Sequence, residues 1–512
     1  MARIPHQLLE LNSPFIWHWP WLEQTVTVAK RYGFTGIILH QQELLALLAE
    51  PSPFAPRLEA ENLRHQRRHA LLYLQRVADW LEQYHLAFWL QAEAAPPQET
   101  LRQKFPEQAP DGASSFWTDF YRSTLTPLLA IPSLRGLVLS LTTPAWQPGP
   151  WQAALQDVWR ALRAAGKQLV LRDFIDASWP RQQLQTVLAS LPGEVRASLK
   201  ATELDYHPGF ANHPLIATLP HQKWIEFDLW GIGYGWSVLP CYLADEIRGR
   251  LSWAQSVAPG GVEAVTARIN WQWLSDSSLI GSVNEVNLSG LQAARLGDPA
   301  EPLLETWFAE QGISFRTRQQ GQQLAELYGA SADWLTKTCN LLGRPLHRQS
   351  QVPESLAQAE QLLHMDTRSA RWALAFQPLL PADDPQLGHE QRSLIQLEKS
   401  SSSHLCATAM ARLREIPSQS DAFAVVQAAW QSAGRYSQMF SLVTAAVVAA
   451  LWRERYGAQP EPLTPHAQAL ERCADDLERW FPTLPATAPL VIPQLFAPER
   501  LRSLAASLLE QE

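Results

Sequence analysis

The sequence is poor in residues that announce chemistry by spacing alone. Its four cysteines, Cys241, Cys339, Cys406 and Cys473, lie far apart, with no Cys-x-x-Cys pair. That spacing excludes metal knuckles and a disulfide framework. No His/Cys/Asp group has metal-ligand spacing, so neither a metal nor another cofactor is expected. No Gly-x-Gly-x-x-Gly turn follows an early apolar run, and Gly231-Ile-Gly-Tyr-Gly235 has the wrong spacing for a nucleotide. Gly-x-Ser-x-Gly and Cys–His arrangements are missing as well, which leaves acyl transfer without support. Charge is sparse at 18% of residues, with a net charge of −8. A mildly acidic chain offers no footprint for nucleic acid. The longest apolar run, Phe440–Trp452, is broken by Ser441 and Thr444 and is too short for a bilayer. Met1–Pro14 lacks the pattern of a secretory signal. A cytoplasmic protein with no membrane partner is the expectation. The oligomeric state is left open, a homodimer being one option.

What is present is hydrophobic and rich in tryptophan. Hydrophobic residues make up 46% of the 512 positions, enough for sizeable cores. There are 22 Trp and 38 Pro against 10 Tyr and 4 Met. Many of these indoles will fill cores. Others suit the wall of a cleft, where a flat apolar face with one N–H donor matches a sugar ring.

Over residues 11–300, short apolar runs alternate with helix-length amphipathic stretches. The runs are Phe15–Trp19, Gly36–His40, Ala87–Glu93, Gly136–Leu141, Gln168–Phe174, Ser198–Asp205, Trp224–Leu229 and Val262–Ile269. Between them, Arg68–Tyr84 and Trp151–Ala165 place apolar residues at spacings of three and four. Eight such units predict a (β/α)8 TIM barrel over residues 1–300. A doubly wound open sheet is the alternative. Residues 301–512 read as helices, with proline-rich breaks at Gln377–Pro385 and Phe481–Pro493. They predict an all-α C-terminal domain. Ser400–Ser403 reads as a loop.

The active site of such a barrel lies at the carboxyl ends of its strands. His18, His40, Glu93, Arg172, Asp173, Asp176, Lys200, Glu203, Asp205, His207, Glu226, Asp228, Arg268 and Asn270 fall there. Carboxylates dominate that set. Paired carboxylates among Trp and basic groups are the equipment of glycoside hydrolysis, one protonating the leaving oxygen and another acting on water. Asp173 could equally cap a helix, and His18 and His40 could be rim or core histidines.

The segment Lys200-Ala-Thr-Glu-Leu-Asp-Tyr-His207, then Asn212-His-Pro-Leu-Ile216, then Trp224-Ile-Glu-Phe-Asp-Leu229, resembles the core of the family 67 glycoside hydrolases, the α-glucuronidases. Gly33–Ile38, Gln147–Pro150, Leu171–Phe174 and Asn287–Leu291 resemble further pieces of that family in the same order. The resemblance implies an inverting glycosidase acting on small oligosaccharides that carry a uronic acid. It implies that Asp205 and Glu226 position the attacking water and that Arg172 and Lys200 grip the uronate. Trp146, Trp230 and Trp236, each just past a strand end, are the expected sugar-facing indoles. One departure stands out. Ala145 occupies the family's general-acid position and Leu141 that of its accompanying lysine, and residues 137–151 contain no acidic side chain. Glu93 is the preferred substitute, ahead of Glu203 and Asp173. The alternative is a carbohydrate-binding pseudo-enzyme on the same barrel.

Overall fold

Eight parallel strands close into a barrel in sequence order: β1 (His6–Leu11), β2 (Gly36–His40), β3 (Ala87–Glu93), β4 (Leu134–Ser140), β5 (Gln168–Arg172), β6 (Arg196–Lys200), β7 (Lys223–Asp228) and β8 (Val262–Arg268). The ring closes where Leu8 pairs with Thr266 and Glu10 with Arg268. The computed structural model describes residues 2–51, 57–95, 105, 114–141, 148–173, 181–203, 206–274, 277–298, 303–364, 378–457, 462–486 and 488–511. Helices connect the strands and cover the outer face, so both sides of each strand are buried, as parallel sheets require.

The first strand differs from the sequence expectation. Phe15–Trp19 is no strand: Pro14–Trp17 forms a 3-10 turn that runs into the helix Trp19–Arg31. The Ser13 hydroxyl accepts from the Phe15 N–H at 3.2 Å, and Pro14 has no N–H to leave unsatisfied. An aromatic-rich run therefore starts a helix, and the strand lies earlier, in His-Gln-Leu-Leu-Glu-Leu.

Inside the barrel, Leu8, Ile38, Trp89, Val138, Val170, Trp224 and Ala264 form an apolar floor. Trp89 and Trp224 meet edge to face at 4.7 Å, a favourable quadrupole arrangement. Gly136 makes room for them: a Cβ there would lie 2.7 Å from the Trp89 ring and 2.1 Å from the Gln168 carbonyl oxygen.

Beyond the barrel the chain is helical, led by Arg318–Cys339, Pro385–Glu415, Asp421–Tyr456, Thr464–Trp480 and Pro498–Leu509. Asp384 caps the Leu387 N–H at 3.0 Å and Ser420 caps that of Phe423 at 3.2 Å. A two-residue hairpin, β9 (Asn340–Leu341) with β10 (Arg344–Pro345), is separate from the barrel. Ser400–Ser403 lies within the helix Pro385–Glu415, contrary to the loop expectation. The Ser400 and Ser402 hydroxyls donate to the carbonyls of Gln396 (2.7 Å) and Glu398 (3.1 Å), so these serines satisfy themselves without breaking the helix.

The helical part is stitched to the loop after β7. Ser350 Oγ accepts from the Gly235 N–H and donates to the Ile232 carbonyl, both at 2.9 Å. The Trp236 indole donates to the Gln349 carbonyl at 3.0 Å, and the Tyr436 hydroxyl to that of Ser350 at 2.6 Å. Among the described residues, no helix is long and apolar enough to cross a membrane.

Candidate active site

Side chains alternate along a strand, so the residues two positions beyond the floor also face inward. They are Glu10, His40, Gln91, Ser140, Arg172, Ser198, Glu226 and Thr266, one from each strand and all buried. A further step of two brings Glu93, Lys200, Asp228 and Arg268, also buried. Above the two indoles the barrel interior is therefore polar on every strand.

Two buried networks organise it. In the first, Arg172 Nε lies 2.8 Å from each oxygen of Glu226. The Ser198 hydroxyl donates to the same carboxylate, and the Ser140 hydroxyl lies 3.5 Å from Arg172 Nη1. In the second, Glu10 Oε1 meets His40 Nδ1 at 2.7 Å, Gln91 Nε2 at 3.3 Å and Arg268 Nε at 3.3 Å. Burial alone would push the Glu10 carboxyl up. The charges of Arg268 and Arg172 and the bond from His40 overcome that and hold it well below the usual carboxylate range. Burial pushes His40 down, with Glu10 opposing and the two guanidinium groups assisting.

The remaining acids have distinct tasks. Both Asp228 oxygens accept backbone N–H groups, from Gly231 at 3.2 Å and Ile232 at 3.0 Å, so this side chain builds the turn after β7. Asp173 accepts from His213 Nε2 at 2.8 Å. His213 Nδ1 accepts from the Leu215 N–H at 3.2 Å, which fixes the imidazole proton on the nitrogen facing Asp173. Glu93 ends β3 beside Ser140 and shares the inward parity of Trp89 and Gln91. Glu203 is half-buried on the turn after β6.

The cavity bounded by Glu10, Lys200, Tyr206, Glu226, Phe227, Asp228 and Arg268 measures about 10 Å³, room for roughly one water. A much larger cavity, about 800 Å³, opens at the other end of the barrel, beneath Trp89 and Trp224. We place the candidate site at the carboxyl end despite its small volume, because the ionisable groups converge there.

The chain matches no family model, and no curated protein matches its sequence. The fold does have relatives. A GH138 enzyme targeting pectin rhamnogalacturonan II superposes with a TM-score of 0.66 at 9% identity, over 94% of this chain and 63% of that one. CpGH84B aligns with a TM-score of 0.45 at 9% identity, over 97% of this chain and 77% of that one. The first likeness extends through both the barrel and the helical region. At such identity it establishes architecture alone.

Of the expected site residues, Arg172, Lys200, Glu226 and Glu93 come together on inward positions at the carboxyl end. Asp205, Trp146 and Ala145 lie outside the described residues. Trp230 and Trp236 are buried and stacked on each other at 5.9 Å. Their N–H groups donate to Ser277 Oγ (2.9 Å) and to the Ile232 and Gln349 carbonyls. They join the β7 loop to its surroundings and present no open face. Sequence reasoning left Glu10, His40, Gln91 and Arg268 out of the chosen site. Arg268 also lies 4.8 Å from the ring centre of Trp271, and Trp273, 72% exposed, follows on the same loop. One group of metal-ligating side chains is gathered among the described residues: His207, Cys339 and His347.

Proposed function

We propose that this chain is a glycoside hydrolase, similar to the α-glucuronidases, acting on small oligosaccharides that carry a uronic acid. The observation that carries the reading is the polar upper interior, where Glu10, Glu226 and Asp228 share one buried space with Arg172, Lys200 and Arg268, and Glu93 is buried on an inward position of β3. Burying that many charges is costly, so a barrel filled only for stability would carry aliphatic side chains there. In this reading Glu226, held by Arg172 and Ser198, and Asp205 position water against the anomeric carbon. Glu93 gives its proton to the leaving oxygen from the β3 side. Arg172 and Lys200 face the substrate carboxylate, and Trp146 offers a ring face. The GH138 enzyme that shares the architecture targets a pectic polysaccharide, which agrees with a carbohydrate ligand.

The reading is tested by Glu93→Gln, assayed on an unactivated glycoside and on an aryl glycoside with a good leaving group. Loss of a general acid is expected to lower kcat/KM on the first by about 10²–10⁴. The second should change by less than about tenfold, because its leaving group needs little protonation. Equal losses would remove Glu93 from the acid role. A second reading, a carbohydrate-binding protein without turnover, is favoured by the ion pair that occupies Arg172 and Glu226 and by Ala145 at the position of the expected general acid. Sugar binding without turnover of either glycoside by the unaltered protein would select it.

A further inference from the structure

Where the barrel meets the helical region, three residues distant in sequence converge. His207 follows β6, Cys339 ends the helix Arg318–Cys339, and His347 lies just past β10. One ligand atom from each lies within 4.8 Å of those of the other two, and all three residues are buried. The imidazole rings are near-parallel, 5.6 Å apart. His207 Nδ1 accepts from the Gly209 N–H at 2.9 Å and His347 Nδ1 from the Ser350 N–H at 3.2 Å. Both rings thus turn Nε2 away from their own loops, and both Nε2 atoms are buried without a hydrogen-bond partner among the described residues. Two orphaned polar atoms in one interior spot are expensive and call for an explanation.

We propose that His207, Cys339 and His347 form a divalent-metal site, best matched to zinc, that joins the barrel to the helical region. Two imidazoles and a thiolate are the borderline-soft donors that zinc prefers, whereas magnesium and calcium require oxygen. Tetrahedral zinc with bonds of about 2.0–2.3 Å sets its donors about 3.3–3.6 Å apart. A set within 4.8 Å therefore closes with side-chain shifts of about 1 Å or less. Three protein ligands leave the fourth position to water.

Two features oppose the metal, and both can be weighed. The backbone N–H groups at Nδ1 place each ring proton on Nε2, so binding must move that proton and give up two hydrogen bonds, and the Cys339 thiol must give up a third, to the Leu335 carbonyl at 3.1 Å. Metal coordination in structural zinc sites outweighs a few neutral hydrogen bonds by a wide margin. Arg250 and Lys399 are the nearby cations. Arg250 is bound to Glu246, Asn212 and the Pro208 and Phe210 carbonyls, and Lys399 to Glu398 and the Lys337, Thr338 and Asn340 carbonyls. Their charge is thus largely met. Burial pushes both imidazoles down, His347 to about 4. Burial also pushes the Cys339 thiol up to about 12. Zinc binds the thiolate, so uptake expels the thiol proton to solvent.

The test uses the full chain, stripped with a chelator and titrated with cobalt(II). One equivalent should bind and develop a sulfur-to-cobalt charge-transfer band with the intense visible bands of a tetrahedral site, and zinc should abolish both. Zinc should also raise the melting temperature of the stripped protein. Cys339→Ser should lose the charge-transfer band, while Cys473→Ser, outside the cluster, should keep it. Should Cys339→Ser fail to fold, His347→Gln serves instead and should bind cobalt at least tenfold more weakly. No stoichiometric uptake by the unaltered chain, or an unchanged charge-transfer band in Cys339→Ser, would overturn the site in favour of buried water at the two imidazoles.

Discussion

The lower and upper halves of the barrel interior stand on the same strands and share one inward parity, yet they are built of opposite materials. Below, Leu8, Ile38, Val138, Val170 and the Trp89–Trp224 pair make an apolar floor. Two residues further along each strand, two carboxylates, a guanidinium group, an amide, hydroxyls and an imidazole fill the same cross-section. The lower half gains from leaving water, and the upper half pays for it. Such charges persist only if they are paired or used. The apolar and ionisable layers are therefore separated along the barrel axis by about two residues of strand.

The largest effect should come from the floor. Trp224→Ala removes a buried indole and its bond to Glu263, made at 3.0 Å. It should cost about 3–5 kcal/mol in urea unfolding while leaving kcat of the folded fraction unchanged. A collapse of turnover at preserved stability would erase the division.

The ion pair above is the converse probe. Arg172→Met strands Glu226 in the interior and should cost about 3–5 kcal/mol, whereas Arg172→Met with Glu226→Met should recover most of that or exceed the parent. Recovery of stability with turnover abolished would mark the pair as retained for function. Failure to recover would make it structural.

Acid should act on the upper half. Unfolded, His40 takes up its proton near pH ~6.5 and Glu10 near ~4.3. Folded, both hold off protons to lower pH, His40 because of burial and Glu10 because Arg268, Arg172 and His40 overcome burial. The unfolded state then binds more protons, so their contribution is lost as pH falls, first below ~6.5 and again below ~4.3. Glu10→Gln should shrink the second step of the stability–pH curve and deepen the first, because Glu10 no longer opposes the lowering of His40. The smallest change is Ser277→Ala, which removes the acceptor of the Trp230 indole and should cost about 1 kcal/mol with no change in turnover.

The barrel was legible in sequence because seven of its strands are apolar runs set between amphipathic helices. The first was misread because Phe15–Trp19 is richer in aromatics than His6–Leu11, and a serine cap with a following proline decided otherwise. That error also hid Glu10, the hub of one network, since a residue outside any expected strand cannot be assigned to a strand end. Applying the alternation rule from Trp89 or Ala264 would have selected Gln91 and Arg268. Trp230 and Trp236, expected to face a sugar, are buried for a different reason. A loop past a strand end is open only if nothing packs on it, and Gln349 and Ser350 come from a distant segment that sequence does not bring near. The same holds for His207, Cys339 and His347, whose meeting is a property of the fold.

The stitching of the β7 loop has a bearing on where this chain can be divided. Ile232, Gly235 and Trp236 leave the barrel to bond with Gln349 and Ser350, and Tyr436 closes over Ser350 from a third element. A fragment ending near residue 300 would keep all eight strands and still leave these barrel-loop groups without their partners, beside the turn that Asp228 organises at the mouth. The change from barrel to helices is thus a change of topology and not a seam. Proteolysis or truncation there should yield a barrel whose mouth frays first, with its floor intact.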